Sequence, residues 1–410
     1  MAKWEFVAYE TLASEERSSF SMGPFGSKIT KENYVAEGVP VVRGVNLARG
    51  IFVDDDFVFI TEEKADEILP ANVAPGDLIF THRGTIGQVS MLPRNPRFDR
   101  YVIGSSQVKT RLCLKKAVPE FYFYWFQSEA GRRSILENAS TVGVPGIATP
   151  LTSIRNLKVP LPVLAEQEAV VDVLGALDDK IAVNERIAAT ARSLGMALFV
   201  QETQGDGAVD VEVDSVANAL TRGVAPKYSN DPDELIVLNQ KCIRDGRVNL
   251  SPARRTLGEK VKPPKLLHRN DVLVNSTGVG TLGRVARWTS DSEATVDSHV
   301  TIVRFDAQQV DPVCAGFAML RAQPDIEAMG EGSTGQTELR RAQVGGLEIA
   351  LPSPSRQREL RVKLDSLEYR ADQALAESAA LATLRDILLP QLMSGRLRVK
   401  DAEKIVEDHV

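Results

Sequence analysis

Residues 72–90 read NVAPGDLIFTHRGTIGQVS and residues 266–286 read LLHRNDVLVNSTGVGTLGRVA. In both, an aspartate leads a short apolar run that enters a Gly-Thr-(Ile/Leu)-Gly-x-Val turn. Such a run bounded by turn residues predicts a buried strand, and finding it twice predicts two copies of one domain. The surroundings repeat in the same order. Upstream, VPVVRGVNLARGIFV (Val39–Val53) pairs with LIVLNQKCIRDGRVNL (Leu235–Leu250), and downstream IGSSQVKTRL (Ile103–Leu112) pairs with TVDSHVTIVRF (Thr295–Phe305). Each copy closes alike: SIRNLKVPLPVLAEQEAVVDVLGALDDKI (Ser153–Ile181) lies over QVGGLEIALPSPSRQRELRVKLDSLEYRA (Gln343–Ala371), in register from Leu157/Leu347 through Gln167/Gln357 to Leu177/Leu367. The period far exceeds the roughly 20–50 residues of a solenoid module, so the unit is a whole domain plus a helix. Two similar but unlike readers suit a target that itself has two unlike halves.

The composition bounds the class. With 410 residues, 43% hydrophobic and 25% charged, the chain can build two or three cores. Cys113, Cys242 and Cys314 lie far apart, with no C-x-x-C, which supports neither a zinc site nor a disulfide framework. MAKWEFVAYETL at the N-terminus carries no signal-peptide pattern, and nowhere do about 18 uncharged apolar residues run together. A reduced, cytoplasmic protein without a membrane span is expected. The net charge of −6 argues against gripping nucleic acid by bulk electrostatics. Binding would need local basic segments, such as Leu92–Tyr101, Ser251–Arg269 and Ser394–Lys400, or a basic partner.

Residues 20 to 160 read as short Val/Ile/Phe strands broken by Gly, Pro and Asn, with one helical insertion at Pro119–Ala139. Phe121, Tyr122, Trp125 and Phe126 share a face of that helix, which favours packing over base stacking. The matching Asp311–Met329 segment keeps the apolar face and loses most of the aromatics. From Glu166 to Val200, Val170, Leu174, Leu177, Ile181, Asn184, Ala188, Ala191 and Leu198 recur at 3-4 spacing. The second copy repeats this with Leu360, Leu364, Leu367, Ala371, Ala374, Ser378, Leu381 and Leu388. A seam that narrow wants a partner helix, and each helix has the other. Packing of each helix on its own domain is the alternative. Gln204–Asp210 reads as a linker, and the terminal DAEKIVEDHV as a frayed tail.

Gly278-Val279-Gly280-Thr281-Leu282-Gly283 matches a dinucleotide fingerprint, but a strand-like RVARW follows where a helix N-terminus is required. His82, His268, His299 and His409 lack partners at triad or metal spacing. No P-loop occurs, nor an Asn/Asp-Pro-Pro-aromatic run for methylating a flipped base. What remains are polar loops at equivalent places. Arg43 and Asn46 match Asn239, Gln240 and Lys241. Thr81, His82, Arg83 and Thr85 match Asn275, Ser276 and Thr277. Ser105, Gln107 and Lys109 match Ser298 and His299. These residue types read base edges in a major groove, arginine suiting guanine and Asn/Gln adenine. Each alone reads equally as a solvated loop residue. The scaffold matches between copies while the tips differ.

GPFGSKITKENYVAEGVPVVRGVNLARG, PGDLIFTHRGTIG, PLPVLAEQEAVVDVLGALDDKI and LLPQLMSGRL, in this order and duplicated, make the chain resemble the specificity (S) subunit of type I restriction-modification systems over nearly its whole length. The resemblance implies an α+β fold with two mixed α/β target-recognition domains. Two long antiparallel coiled-coil helices would join them, with pseudo-twofold symmetry. The divisions are then 1–160 for the first domain, 161–203 for the central spacer helix, 204–352 for the second domain and 353–400 for the C-terminal spacer helix and end segment. It further implies that each domain reads one part of a bipartite double-stranded DNA site. The helices, through Val170, Leu174, Leu177, Ile181, Asn184, Leu360, Leu364 and Leu367, would set the spacing and dock two methyltransferase (M) subunits. Motor-nuclease (R) subunits would be the further partners the resemblance implies, while the sequence leaves open whether a nuclease subunit is present. S-adenosylmethionine, ATP and Mg would sit on those partners, with no cofactor or metal and no catalysis in this chain. The second helix departs at its start, where Arg356 stands in place of Glu166. A coiled-coil adaptor using its duplicated domains for protein contacts is the alternative.

Overall fold

A computed structural model describes residues 4–25, 28–137, 139–140, 143–204, 207–330 and 338–408. Residues 205–206 of the expected linker and His409 lie outside them. By contacts the chain forms two compact units, residues 1–183 with 377–410, and residues 184–376. Each recognition domain thus shares a unit with one half of each long helix, a different grouping from the four-part division expected above.

In the first unit a sheet runs in the order Phe20–Met22, Gln107–Thr110, Leu78–Thr81, Val89–Met91, all antiparallel. A second sheet runs Val58–Ile60, Val39–Val42, Tyr101–Ile103, Asn72–Val73, its middle pair parallel. The second unit repeats both. Its first sheet is Ala217–Arg222, Val300–Phe305, Val272–Asn275, Val285–Arg287. Its second is Tyr228–Ser229, Arg254–Thr256, Leu235–Leu238, Ala294–Val296, again with one parallel pair. A closing ribbon is also shared, Glu5–Ala8 with Lys158–Leu161 and Val209–Glu212 with Glu348–Leu351.

The Asp-led runs are the inner strands. They are apolar throughout because both faces are buried: Leu78 and Phe80 enter one core and Ile79 another, while Val272 and Val274 enter one and Leu273 another. The leading aspartates are buried too, at 1% exposure each. Asp77 takes the Nε and terminal nitrogen of Arg111, both at 2.8 Å, and the Ala74 N–H at 2.9 Å. Asp271 takes Arg304 at 2.8 and 2.6 Å and the His268 N–H at 2.8 Å. Bidentate pairing plus a backbone donor satisfies a carboxylate that burial alone would leave costly.

The aromatic segment is two helices, Pro119–Gln127 and Glu129–Leu136, where one was expected. Ser128 breaks the run, and its hydroxyl accepts from the Gly131 N–H at 3.2 Å as an N-cap. The counterpart divides likewise into Pro312–Arg321 and Gln323–Met329. Phe121, Tyr122, Trp125 and Phe126 are all buried, with Phe126 edge-on to Tyr9 and Phe80 at 5.2 and 5.0 Å. Packing is their role.

The long helices span Leu164–Thr203 and Pro354–Met393. Gln167 and Gln357 staple their first turns identically. Each amide donates to the preceding Pro162 or Pro352 carbonyl, at 2.9 and 2.7 Å, and each carbonyl accepts a loop N–H, Val118 or Asp311, at 2.8 Å. In the first unit Val170, Leu174 and Leu177 share a core with Leu381, Leu388 and Leu392, and Asp178 pairs with Arg385 at 2.7 Å. In the second, Ala188, Ala191, Ala371 and Ala374 pack together beside Leu367, and Leu360 and Leu364 join the domain core. Small residues let the two backbones approach. Ile181 and Leu367 are half-buried and Asn184 is buried. Past Ala191 the seam passes through Gly195 to Phe199, fully buried, so Leu198 is only its half-buried neighbour. An α-helix drifts off a strict heptad, and the seam drifts with it.

The C-terminal segment is not a frayed tail. Val399–Glu407 is a helix whose Ala402 is buried and whose Val399, Ile405 and Val406 pack on the first unit's core. Among the described residues no helix is long and apolar enough to cross a membrane. The twinned aspartates yield a stability prediction. Asp271→Ala leaves Arg304, 17% exposed, with the Leu266 carbonyl but without its carboxylate and should cost about 3–5 kcal/mol in denaturant titration, whereas Asp77→Ala leaves Arg111 the Glu16 carboxylate and should cost less. A loss below about 1 kcal/mol in either would show that its ion pair is not structural.

Candidate nucleic-acid interface

The polar loops gather where strands end. In the first unit Leu78–Thr81 pairs with Gln107–Thr110 so that Thr81 faces Gln107. Residues 82–85 therefore leave the sheet beside residues 104–106, and His82 N–H donates to the Ser106 carbonyl at 2.9 Å. The parallel pair ends at the same place, Gly104 N–H reaching the Val42 carbonyl at 2.8 Å. The second unit matches this atom for atom: Ser276 N–H to the His299 carbonyl at 2.9 Å and Asp297 N–H to the Leu238 carbonyl at 2.8 Å. Arg83 and Thr277 thus occupy one position, as do Ser105 and Ser298.

Burial divides the expected contact residues. Asn46, Thr81, His82, Gln107, Lys109, Asn275 and Ser276 are at most 5% exposed, and apart from Asn275 Oδ1, which is buried without a partner, their polar groups are largely used internally. Asn46 accepts from the Arg43 N–H at 2.9 Å and donates to the Val53 and Asp55 carbonyls at 3.2 and 2.7 Å. Asn275 donates to the Gln240 and Thr281 carbonyls at 2.9 and 3.0 Å. The Ser276 and Thr301 hydroxyls share a hydrogen bond at 2.5 Å, and Thr81 donates to Gln88 at 3.1 Å. Gln107 fills the space between Gly104 and the end of Val39–Val42. The Lys109 ammonium donates to the Asn72 carbonyl, and burial holds its pKa below the usual lysine value. The His82 ring meets the Ser105 carbonyl at 3.2 Å, and burial lowers its pKa as well. In this structure these seven are buried and act as staples that shape the tips, where the sequence alone places them among the base contacts. Amides and hydroxyls that suit base edges suit backbone carbonyls equally.

The exposed members are Arg83, Thr85 and Ser105 in the first unit and Lys241, Ser298 and His299 in the second, with Thr277, Asn239 and Gln240 half-exposed. Arg43 is half-exposed, and its guanidinium is drawn to the Asp56 carbonyl at 2.7 Å. Asn239 caps its own turn, accepting from the Lys241 N–H at 2.8 Å and donating to the Pro252 carbonyl at 2.8 Å. The Thr277 hydroxyl and His299 Nδ1 are 2.7 Å apart.

The turn glycines have work of their own. Gly84 (φ 87°) has open space where a Cβ would stand, so Arg83 lies beside backbone that another molecule could approach. Gly278 (φ 110°) is crowded instead: a Cβ there would lie 2.6 Å from Gln240 Nε2. With Val279 it forms a two-residue insertion relative to the first copy. The loop joins Val272–Asn275 to Val285–Arg287 as a hairpin, so the G-x-G-x-x-G leads into a strand as its context indicated. Arg222, Arg340 and Arg341, beside the second tip, were not singled out from sequence. The signal was available, because the register of Ser153 on Gln343 sets Arg340 and Arg341 against Pro150 and Leu151.

Residues 25–191 match the type I restriction modification DNA specificity domain family. A Methanocaldococcus jannaschii chain named as the specificity subunit of the type I restriction enzyme MjaX is 19% identical over 394 residues, 90% of each chain. The crystal structure of the type I restriction-modification S subunit from M. genitalium superposes with a TM-score of 0.61 at 15% identity, covering 95% of this chain and 96% of that one. Its fold is therefore shared, and the family match at residues 25–191 favours a DNA specificity role over the adaptor alternative. Residues 25–191 thus match a type I restriction modification DNA specificity domain, and over nearly its whole length the chain is similar to specificity subunits of those systems.

Proposed function

We propose that each domain reads one half of a bipartite duplex site and that the paired helices set the unread gap between the halves. The observation that carries this reading is the contrast within the repeat. Ion pair, glutamine staple and strand register recur residue for residue, while the exposed tips carry Arg83, Thr85 and Ser105 in one copy and Thr277, Ser298 and His299 in the other. Functionally the chain divides at 1–160, 161–203, 204–352 and 353–400. The outer helix faces dock two methyltransferase subunits, and motor-nuclease subunits join the assembly. S-adenosylmethionine, ATP and Mg belong to those partners, this chain being non-catalytic and cytoplasmic.

The purified chain should neither methylate nor cut DNA, and should gain sequence-specific methylation when a cognate methyltransferase subunit is added. Methyl transfer by the chain alone, free of copurifying subunits, would end the reading. For the helices, inserting seven residues after Ala188 and seven after Ala371 preserves the seam and adds about 10 Å at 1.5 Å per residue. At about 3.4 Å per base pair the unread gap should grow by about three pairs with the bases read at each end unchanged. An active variant with an unchanged gap, seen by methylome sequencing, would remove the ruler.

For the tips, Arg83 can hold a guanine by two hydrogen bonds worth about 1–3 kcal/mol of discrimination. Arg83→Ala should relax one position in one half-site and leave the other half-site untouched in competition with single-base variants. Even weakening across all sequences with a shallower salt dependence would make it a phosphate contact instead.

A further inference from the structure

Beside the tip of the second domain lies a cleft of about 540 Å³ lined by Arg222, Ser298, Glu338, Arg340, Arg341 and Ala342. Arg222 is its fixed wall. Its guanidinium donates to the Ser298 carbonyl at 3.3 Å, the Leu339 carbonyl at 2.7 Å and the Glu338 carboxylate at 2.9 Å. Glu338, the one carboxylate among the described lining residues, is thereby taken. Arg340 and Arg341 are exposed. Behind them the Lys265 ammonium donates to the Arg222 carbonyl at 2.5 Å and to the Thr221 hydroxyl. Burial and then the charge of Arg341 hold its pKa below the usual lysine value. Three arginines thus line the cleft with one carboxylate, backed by Lys265, in a chain whose net charge is −6. Like charges gathered in this way repel one another, and an anion relieves them.

We propose that this cleft holds a backbone phosphate of duplex DNA and so sets the register of the second domain's tip. The assignment rests on the bipartite reading above and deepens it. Guanidinium groups match phosphate oxygens in paired hydrogen bonds, and phosphate contacts fix position while base contacts specify. Ser298 joins the two functions: it lines the cleft, and the adjacent His299 bonds Thr277 at the tip. A DNA strand accounts for the exposed, side-by-side Arg340 and Arg341 better than a small anion, which an enclosed pocket would suit. Among the described residues the first domain has no counterpart. Strand pairing sets Met22, opposite Val108, where Arg222 stands opposite Thr301, and Pro150 and Leu151 stand where Arg340 and Arg341 do. The clamp therefore serves one half-site only.

The test uses the chain assembled with its methyltransferase partner, as wild type and as the double variant R340Q/R341Q, whose surface positions should leave the melting temperature unchanged. Duplexes carry a single neutral methylphosphonate walked along the second half-site. Wild type should lose about tenfold in affinity at one or two positions, as expected for a charge-assisted hydrogen bond. The double variant should bind unmodified DNA more weakly and be indifferent to methylphosphonate at those positions. Its slope of log affinity against log salt should be shallower by about one per arginine, with base preference unchanged. A variant as sensitive to the methylphosphonate as wild type, a slope that does not change, or an altered base preference would overturn the clamp. Inorganic phosphate that competes better than chloride at equal ionic strength, and only against wild type, would identify a free anion as the ligand and also overturn it. If wild type itself does not prefer its own site over scrambled duplex, the bipartite reading has failed rather than the clamp alone.

Discussion

The buried Asp–Arg pair at the start of each inner strand is the constraint on which the recognition domains depend. A carboxylate at 1% exposure is tolerable only with its partners in place. The pair is made across a strand boundary, Asp77 preceding Leu78 while Arg111 follows Thr110, and Leu78 faces Thr110. Asp271 and Arg304 repeat this, with Val272 facing Val303. A one-residue slip would separate the ions and send every side chain of the strand to the opposite core. Register thus follows from a charge that cannot be left alone, and register decides which residue leaves the strand at its far end. Arg83 and Thr277 are delivered to the surface by an ion pair at the other end of the strand.

A second constraint fastens each domain to the helix that follows it. Gln167 and Gln357 tie the helix start to the domain by three or fewer hydrogen bonds each, all to backbone atoms, so the joint is insensitive to side-chain changes around it. About three helix turns further on, Asp178 and Glu368 occupy matching positions with unlike partners. Asp178 takes the Tyr124 hydroxyl at 2.7 Å, whereas Glu368 takes Arg287, whose side chain is 1% exposed. Burial raises the Glu368 pKa, and the neighbouring Arg287 opposes the rise. The same helix position therefore anchors both domains, once through a phenol and once through a guanidinium.

Duplication, seam and aromatic packing were legible in the sequence because each is a pattern of apolar spacing, and burial of apolar surface is what the fold consists of. The division of polar loop residues into staples and tips was not legible. Asn46 and Gln107 are chemically as apt for an adenine edge as for a carbonyl, and only three-dimensional neighbours decide between them. The repeat did hold one clue: the position of Asn46 is filled by Cys242 in the second copy, where Asn239 N–H meets Cys242 Sγ at 3.4 Å. A thiol in that place marks a turn staple, not a reader. Val399–Glu407 was missed for a different reason, since its charged residues outweigh the Val399, Ala402 and Ile405 stripe until a core is present to receive it.

The separation of staples from tips has a consequence for how specificity can change. Staple hydrogen bonds end largely on backbone carbonyls and amides, which any sequence supplies, and the tip at Gly84 borders open space. Substituting Arg83 or Ser298 therefore disturbs no buried partner, and stability and target choice can vary independently. Electrostatics sets the opposite limit. With a net charge of −6, the chain cannot hold DNA by its overall field, so each half must rely on local cations or on partner subunits. The second domain carries such cations beside its tip, and the first has the half-buried Met22, Pro150 and Leu151 at the matching positions. The two halves are alike in scaffold and unlike in grip, and that difference follows from which residues the strand register brings to the surface.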